Sequence, residues 1–259
     1  MHVDAAYCFC GHLRSFERTF DAFQRGMFRH LPGDIFFFTW NTMGNPSRTH
    51  WAGDEPALKT TPVTQETISK VRELYRPLQL VIEDQSKLNL PPMETHGYSE
   101  THPTSAAAVY FHWLSVFKVN QMRKGYELAS GKRYAKVIRI RPDFLLHNEL
   151  SNAELEDQSS LYVAHSDDHF RVRTVPDSFF HGPSALIDVV ADFFHHIEER
   201  IFKRGGSPED GFSDYLEDLK VPLKVSGAEW NFLRASGHLQ NNTHRESRVL
   251  AERFTRGGQ

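Results

Sequence analysis

Cysteine is nearly absent. The 259 residues hold two, Cys8 and Cys10. Side chains alternate along a strand, so the pair shares one face and is too close in sequence for an ordinary disulfide. A zinc site built on Cys-x-Cys needs further cysteines, which the chain does not have. Both read as buried free thiols. That usage fits a reducing compartment. The expectation is a cytoplasmic protein, with peripheral attachment to a membrane left open. Long apolar runs are missing as well, and none approaches the roughly 18 residues that cross a bilayer. The first residues lack a basic stretch followed by an apolar core, and read as a strand rather than a signal peptide. Neither sign of charge is in large excess. The formal net charge is −3, so no broad basic field recruits nucleic acid.

Familiar active-site patterns are absent too. There is no Gly-x-x-x-x-Gly-Lys-Ser/Thr, which removes the main feature of P-loop enzymes. No Gly-x-Gly-x-x-Gly follows the first strand, against a dinucleotide oxidoreductase. No Gly-x-Ser-x-Gly elbow and no His-Glu-x-x-His occur, against an α/β-hydrolase and a zincin.

What is present alternates strands with helices. Aromatics are plentiful, with 20 Phe, and a chain of this length can bury a sizeable core. Strands are expected at 3–10, 34–40, 78–82 and 134–141, then at 161–164, 170–175 and 221–225. Helices are expected at 16–29, 64–76, 105–130, 185–202 and 208–219. Residues 41–62 and 85–103 read as long loops. This pattern argues an α/β fold, a three-layer α/β/α sandwich with a mostly parallel central sheet. We read residues 1–239 as one domain and 240–259 as a polar tail or surface helix.

The chemistry concentrates at four places. Val137, Ile138 and Ile140 make a β-branched strand that Pro142 must end, because proline cannot donate to a ladder. Asp143 therefore falls at the C-terminal end of a strand, where ligands bind in open α/β sheets. Arg139 and Arg141 just before it suit a phosphorylated ligand, and a structural Arg–Asp pair is the plainer alternative. After the first strand, Gly11, His12 and Arg14 lie in a turn that leads into a helix. Such a turn offers backbone N–H groups to an anion, and Arg14 adds a bidentate donor; an ordinary βα turn has the same look. Asp177, Phe179, Phe180, His181 and Gly182 read as an aromatic turn able to line a polyol-binding pocket, or as a Phe pair anchoring the core. Glu209 and Asp210 follow Pro208 at a helix start, which is capping chemistry or a candidate general base. Adjacent helical residues diverge by roughly 100°, so one alone can face a cleft. Glu209, with the longer side chain, is the expected one.

In this order the motifs resemble the nucleotide-sugar-dependent glycosyltransferases of the GT-A fold. They are closest to a group of bacterial and viral polysaccharide glycosyltransferases. The carrying elements are Gly11-His12-Leu13-Arg14, Thr39-Trp40, Phe117-Lys118-Val119-Asn120, Arg139-Ile140-Arg141-Pro142-Asp143, and the Asp177, Phe179, Phe180, Gly182 set. The resemblance spans about residues 3–225. It implies a transferase that moves a sugar from a nucleotide sugar to a glycan or lipid-linked glycan hydroxyl. Gly11, His12, Arg14, Lys118, Arg139, Arg141 and Asp143 then fall on the donor side. Asp177, Phe179, Phe180, His181 and Gly182 fall on the acceptor side, and Glu209 or Asp210 is the base. The metal-binding Asp-x-Asp of that fold would close the strand that Asp143 closes, so Asp143 is the implied ligand of Mn²⁺ or Mg²⁺. Arg141 stands in place of its first acid and is the alternative neutraliser of the diphosphate. His238 and His244 match, by position, a late diphosphate-binding His. A non-catalytic nucleotide- or glycan-binding protein of the same fold is the competing reading, and a nucleotidyltransferase of related architecture a weaker one.

Overall fold

A computed structural model describes residues 4–45, 56–88, 90, 106–164, 175–204, 207–233 and 239–241. Its centre is a seven-stranded sheet. β1 (Ala5–Cys10) is flanked on one side by β2 (Gly33–Trp40) and then β3 (Gln79–Glu83), and on the other by β4 (Lys136–Ile140). These four strands are parallel. Beyond β4 come β7 (Phe179–Gly182), β6 (Leu161–Val163) and β8 (Leu223–Val225). β7 runs antiparallel to both neighbours, while β6 and β8 are parallel. The molecule is thus α/β with a mostly parallel central sheet flanked by helices, as expected. The chain builds outward from β1 in one direction through β2 and β3, then crosses to β4 on the other side. That reversal makes the C-terminal ends of β1 and β4 a topological switch point, the place where ligands bind in open α/β sheets.

Strand alternation divides the core. Cys8, Cys10, Phe36, Phe38 and Val137 face the long helix α4 (Ala106–Ser130), whose Trp113, Val116 and Val119 meet them. Tyr7, Phe9, Phe37, Ile138 and Ile140 face the other way, onto Phe16 and Phe23 of α1 (Phe16–Phe23) and Tyr75 of α3 (Gln65–Tyr75). A fully buried Phe contributes about 1.5–3 kcal/mol, so the stacked Phe9 and Phe37 rings, 5.3 Å apart, are central to that layer. Both cysteines are free and buried, as read from their spacing. α3 starts where Thr64 accepts from the Thr67 N–H at 3.2 Å.

Several expectations need correction. A short helix, α2 (Pro56–Thr60), interrupts the first long loop, and α5 (Asn152–Glu156) lies between β4 and β6. The helix expected at 16–29 is α-helical to Phe23 and then widens into a π-turn at Gln24–Phe28. The helix expected at 185–202 is three pieces: α6 (Ser184–Asp192), a 3₁₀ turn at Phe193–His196 and a π-turn at Glu198–Phe202. These adjustments keep Phe193, Ile197, Ile201 and Phe202 all in the core. Residues 179–182, expected as a turn, are the strand β7, because their backbone pairs with β4. The expected tail is not wholly a tail: β10 (Leu239–Asn241) pairs with β9 (Trp230–Leu233), and both belong to a second, three-stranded sheet. Its third strand is β5 (Phe144–Leu146), the continuation of β4 after Pro142. The strand expected at 170–175 lies, apart from Val175, outside the described residues, as do 242–259. Among the described residues, no helix is long and apolar enough to cross a membrane.

The last helix, α7 (Pro208–Asp218), is pressed against the π-turn before it. A Cβ on Gly211 would lie 2.7 Å from Ile201 Cγ1 and 2.8 Å from the Arg200 carbonyl oxygen. Gly211→Ala must push α7 outward, and overpacking of this kind costs about 1–3 kcal/mol. Thermal unfolding should show a clear loss of stability; an unchanged melting temperature would mean that α7 packs more loosely than described.

Candidate active site

The β1–β4 switch point collects charged side chains because two strands end there in different ways. β1 ends at Gly11, whose φ of +116° is a conformation that side chains other than glycine's resist. Three residues on, Arg14 takes a left-handed φ of 44°, costing roughly 1–2 kcal/mol in a non-glycine residue. Its backbone N–H is used on the Met43 carbonyl at 3.1 Å, and His12 Nδ1 lies 3.0 Å from the Thr42 carbonyl. The turn is therefore tied to the loop after β2, and this N–H of the expected anion cradle is already engaged. What the turn delivers is the Arg14 guanidinium.

β4 ends at Ile140, and Arg141-Pro142-Asp143 forms the joint to β5. The joint is held tightly. Thr19 Oγ1 donates to the Pro142 carbonyl at 2.6 Å. The Leu233 N–H donates to the Asp143 carbonyl at 2.9 Å. Ser15 Oγ donates to the Leu233 carbonyl in turn. The Phe144 ring stacks on Phe179 at 5.0 Å and on Trp230 at 4.6 Å. In this frame Asp143 is 1% exposed. Arg14 Nη1 donates to its Oδ2 at 2.6 Å, while Arg141 donates from Nε to Oδ1 at 2.9 Å and from Nη2 to Oδ2 at 2.7 Å. The Arg141 guanidinium also lies 4.2 Å over the Phe232 ring. Two guanidinium groups thus converge on one buried carboxylate. A divalent cation does not fit here. Both Asp143 oxygens accept from guanidinium groups whose charge repels a metal, and among the described residues no group of three His, Cys, Asp or Glu side chains could hold one.

Beside this lies a second cluster. Arg139 is buried on the α4 side of β4; its Nε donates to Cys10 Sγ at 3.1 Å and its Nη1 to the Asp177 carbonyl. It holds the chain just ahead of β7. The Asp177 side chain reaches α4, where its Oδ2 is 3.2 Å from His112 Nε2. Burial pushes the His112 pKa down to about 4; Asp177 opposes that fall, and Arg139 and Arg141 add to it. His112 is neutral at pH 7.

Glu209 and Asp210 separate as helix geometry requires. Asp210 completes a capping box: Ser207 N–H donates to its Oδ2 at 3.1 Å, and its own N–H donates to Ser207 Oγ at 3.1 Å. Glu209 points elsewhere and is half-buried. Burial of its carboxyl, then the Asp177 charge, then Asp210, raise its pKa from 4.5 to about 7. Folded Glu209 keeps its proton to about pH 7, whereas the unfolded chain releases it near 4.5. The stability contribution therefore falls as pH rises through that window.

The remaining expectations are placed elsewhere. Phe179, Phe180, His181 and Gly182 are buried in β7, so none lines an open pocket. His181 faces away from α4, stacks on Tyr162 at 4.9 Å and lies 3.3 Å from Glu154. Lys118 is paired with Glu83 at 2.8 Å, at the end of the edge strand β3. His238 and His244 lie outside the described residues. His112 was missed: a His on an apolar helix reads as core, and only the β4–β7 pairing brings Asp177 to it. No family model matches the chain, and no curated protein resembles it closely enough to count as a relative.

The shared carboxylate makes a prediction. Asp143→Asn leaves buried Arg14 and partly buried Arg141 without their common anion and should cost about 3 kcal/mol. Removing Lys118 from its half-exposed pair should cost below about 1 kcal/mol. Urea unfolding of Asp143→Asn and Lys118→Met measures both. Equal, small losses would show that Asp143 does not hold the joint.

Proposed function

We propose that this chain is a GT-A-type glycosyltransferase. It takes a sugar from a nucleotide-sugar donor to a hydroxyl of a glycan or lipid-linked glycan, in surface polysaccharide or glycoconjugate synthesis. The observation that carries the reading is the pairing of Arg14 and Arg141 at the switch point of a mostly parallel sheet. The crevice outside such strand ends is where nucleotides bind in open α/β sheets. Arginine forks suit a diphosphate, and the family resemblance runs through the same residues.

On this reading the donor diphosphate lies against Arg141 and Arg14. The acceptor oxygen attacks the anomeric carbon as the bond from that carbon to the phosphate oxygen breaks. The leaving nucleotide carries away the electron pair, and the guanidinium groups offset its growing charge. Glu209 takes the proton of the acceptor hydroxyl. A carboxylate that titrates near 7 suits a general base at neutral pH. Asp143 aims the guanidinium groups and does not carry a metal, so turnover persists in a strong chelator. Arg139 and Asp177 stay next to the acceptor side as supports, and the fold's internal charge replaces part of what Mn²⁺ or Mg²⁺ would supply at an Asp-x-Asp.

The competing reading is a non-catalytic nucleotide- or glycan-binding protein of the same fold. It is favoured by one observation, the lack of a metal-ligand set among the described residues. Turnover separates the two. Nucleotide-sugar panels, offered with oligosaccharide acceptors with and without Mn²⁺, should give transfer. Glu209→Gln should lose about 10²–10⁴-fold in kcat with donor affinity unchanged. Asp210→Asn should lose little activity and about 0.3–1 kcal/mol of stability, because its amide oxygen can still accept from the Ser207 N–H while the charge at the helix start is removed. Nucleotide binding with no turnover across the panel would favour the binding protein. The reverse ranking of the two variants would move the base to Asp210.

A further inference from the structure

We infer that His112, Asp177 and Glu209 act as one proton-holding group at the edge of the site. In it, His112 fixes Asp177 as the charged carboxylate, so that Glu209 is the member that gains and loses the proton. His112 and Asp177 are then positioning residues that act through Glu209. The catalytic meaning of this group rests on the glycosyltransferase reading, while the ionisation itself does not.

The geometry comes from three elements. Asp177 is set by its own backbone, whose carbonyl accepts from the buried Arg139. The same segment is clipped to the first turn of α7: the Val175 N–H donates to Ser213 Oγ at 2.7 Å, and Ser213 Oγ donates to the Glu209 carbonyl at 2.7 Å. This chain of hydrogen bonds ties the Asp177 strand entry to the turn that carries Glu209. From the opposite side, α4 brings His112 Nε2 to 3.2 Å from Asp177 Oδ2. Arg139 Nη2, at 3.5 Å from the same ring nitrogen, is a donor only. Nε2 can accept from Arg139 or donate to Asp177 but not both; the shorter contact is the one to Asp177, and with Nε2 as the N–H donor Asp177 accepts as a carboxylate.

The tie through Ser213 puts the Asp177 and Glu209 charges within reach of one another, and two carboxylates that repel in a partly buried place do not both ionise easily. Asp177 has the His112 N–H and the neighbouring Arg139 to hold its charge. Glu209 faces the charges of Asp177 and of Asp210 on its own helix, with Ser207 beside it at the cap. On β4, Arg139 and Arg141 face His112. The cations of the turn packed behind α7 are directed away, Arg200 to Asp218 and Arg204 to Asp214. The shared proton belongs on Glu209, and the pair titrates as a unit. Neutral His112 supports this arrangement without competing for the proton, since burial holds its pKa at about 4.

Carboxyl-carbon NMR titration of the whole chain reads both acids directly. We expect Glu209 to titrate near neutrality and Asp177 well below it. In Asp177→Asn the Glu209 midpoint should fall by about one pH unit or more. In His112→Leu the Asp177 midpoint should rise and the Glu209 midpoint fall, as the proton becomes shared. His112→Gln, whose amide can donate again, should restore most of the difference. The His112 series carries the test if Asp177→Asn does not fold. A Glu209 midpoint that stays in place in these variants overturns the proposal. Under turnover, the acidic limb of the kcat/KM profile should move with the Glu209 midpoint. Moved midpoints with no nucleotide-sugar turnover would leave the proton group standing and remove the glycosyltransferase reading. Turnover with unmoved midpoints would do the opposite.

Discussion

Two guanidinium groups on one buried carboxylate set the geometry on which the rest of the site depends. Arg14 and Arg141 leave different strands and meet at Asp143. An unpaired carboxylate at that depth would cost several kcal/mol, and so would either arginine without its anion. The left-handed backbone at Arg14 and the stacking of Phe144 between Phe179 and Trp230 both serve this meeting. The second sheet closes over the joint through the Leu233 N–H and carbonyl. What looks from the sequence like a metal ligand is, in the fold, the anchor of two guanidinium groups.

This arrangement divides the candidate site by charge. The β1–β4 joint presents arginine, and Asp143 there is engaged by the Arg141 fork and by Arg14 Nη1. The α4–β7–α7 side presents a neutral histidine and two acids, one of which holds a proton near pH 7. A group-transfer enzyme needs both: cationic groups where negative charge leaves, and a base of matched pKa where a proton is taken. The capping box separates the roles of neighbouring residues. Asp210 is consumed by the cap, which leaves Glu209, about 100° away around the helix, as the acid that feels the Asp177 charge.

The parts of this picture that were legible in the sequence are those set by local chemistry. The β-branched run of β4 and its stop at Pro142 placed Asp143 correctly, and Pro208 with two acids marked the start of α7 and its cap. The parts that were not legible depend on distant pairing. Phe179–Gly182 follows Pro176 and ends in glycine, so it reads locally as a turn; a strand forms because β4 offers it a partner. That pairing buries His181 and carries Asp177 to His112. Trp230–Leu233 lies beside the polar C-terminal region and was passed over, though its alternation of large apolar residues about Asn231 is a strand signal. The clamp on Asp143 was weighed as the plain alternative, but nothing in the spacing of Arg141 and Asp143 shows that Arg14 joins them from 129 positions away.

The central claim is that arginine rather than a metal receives the diphosphate. Calorimetric titration of nucleoside diphosphates into the whole chain, in the presence of a strong chelator, tests it most directly. The account predicts binding in chelator that weakens tenfold or more in Arg141→Ala, the loss of about 1.4 kcal/mol or more expected of a charge-assisted contact, while Lys118→Ala binds as the parent does. Binding that appears only when Mn²⁺ or Mg²⁺ is added, or an Arg141→Ala affinity equal to the parent's, would contradict it.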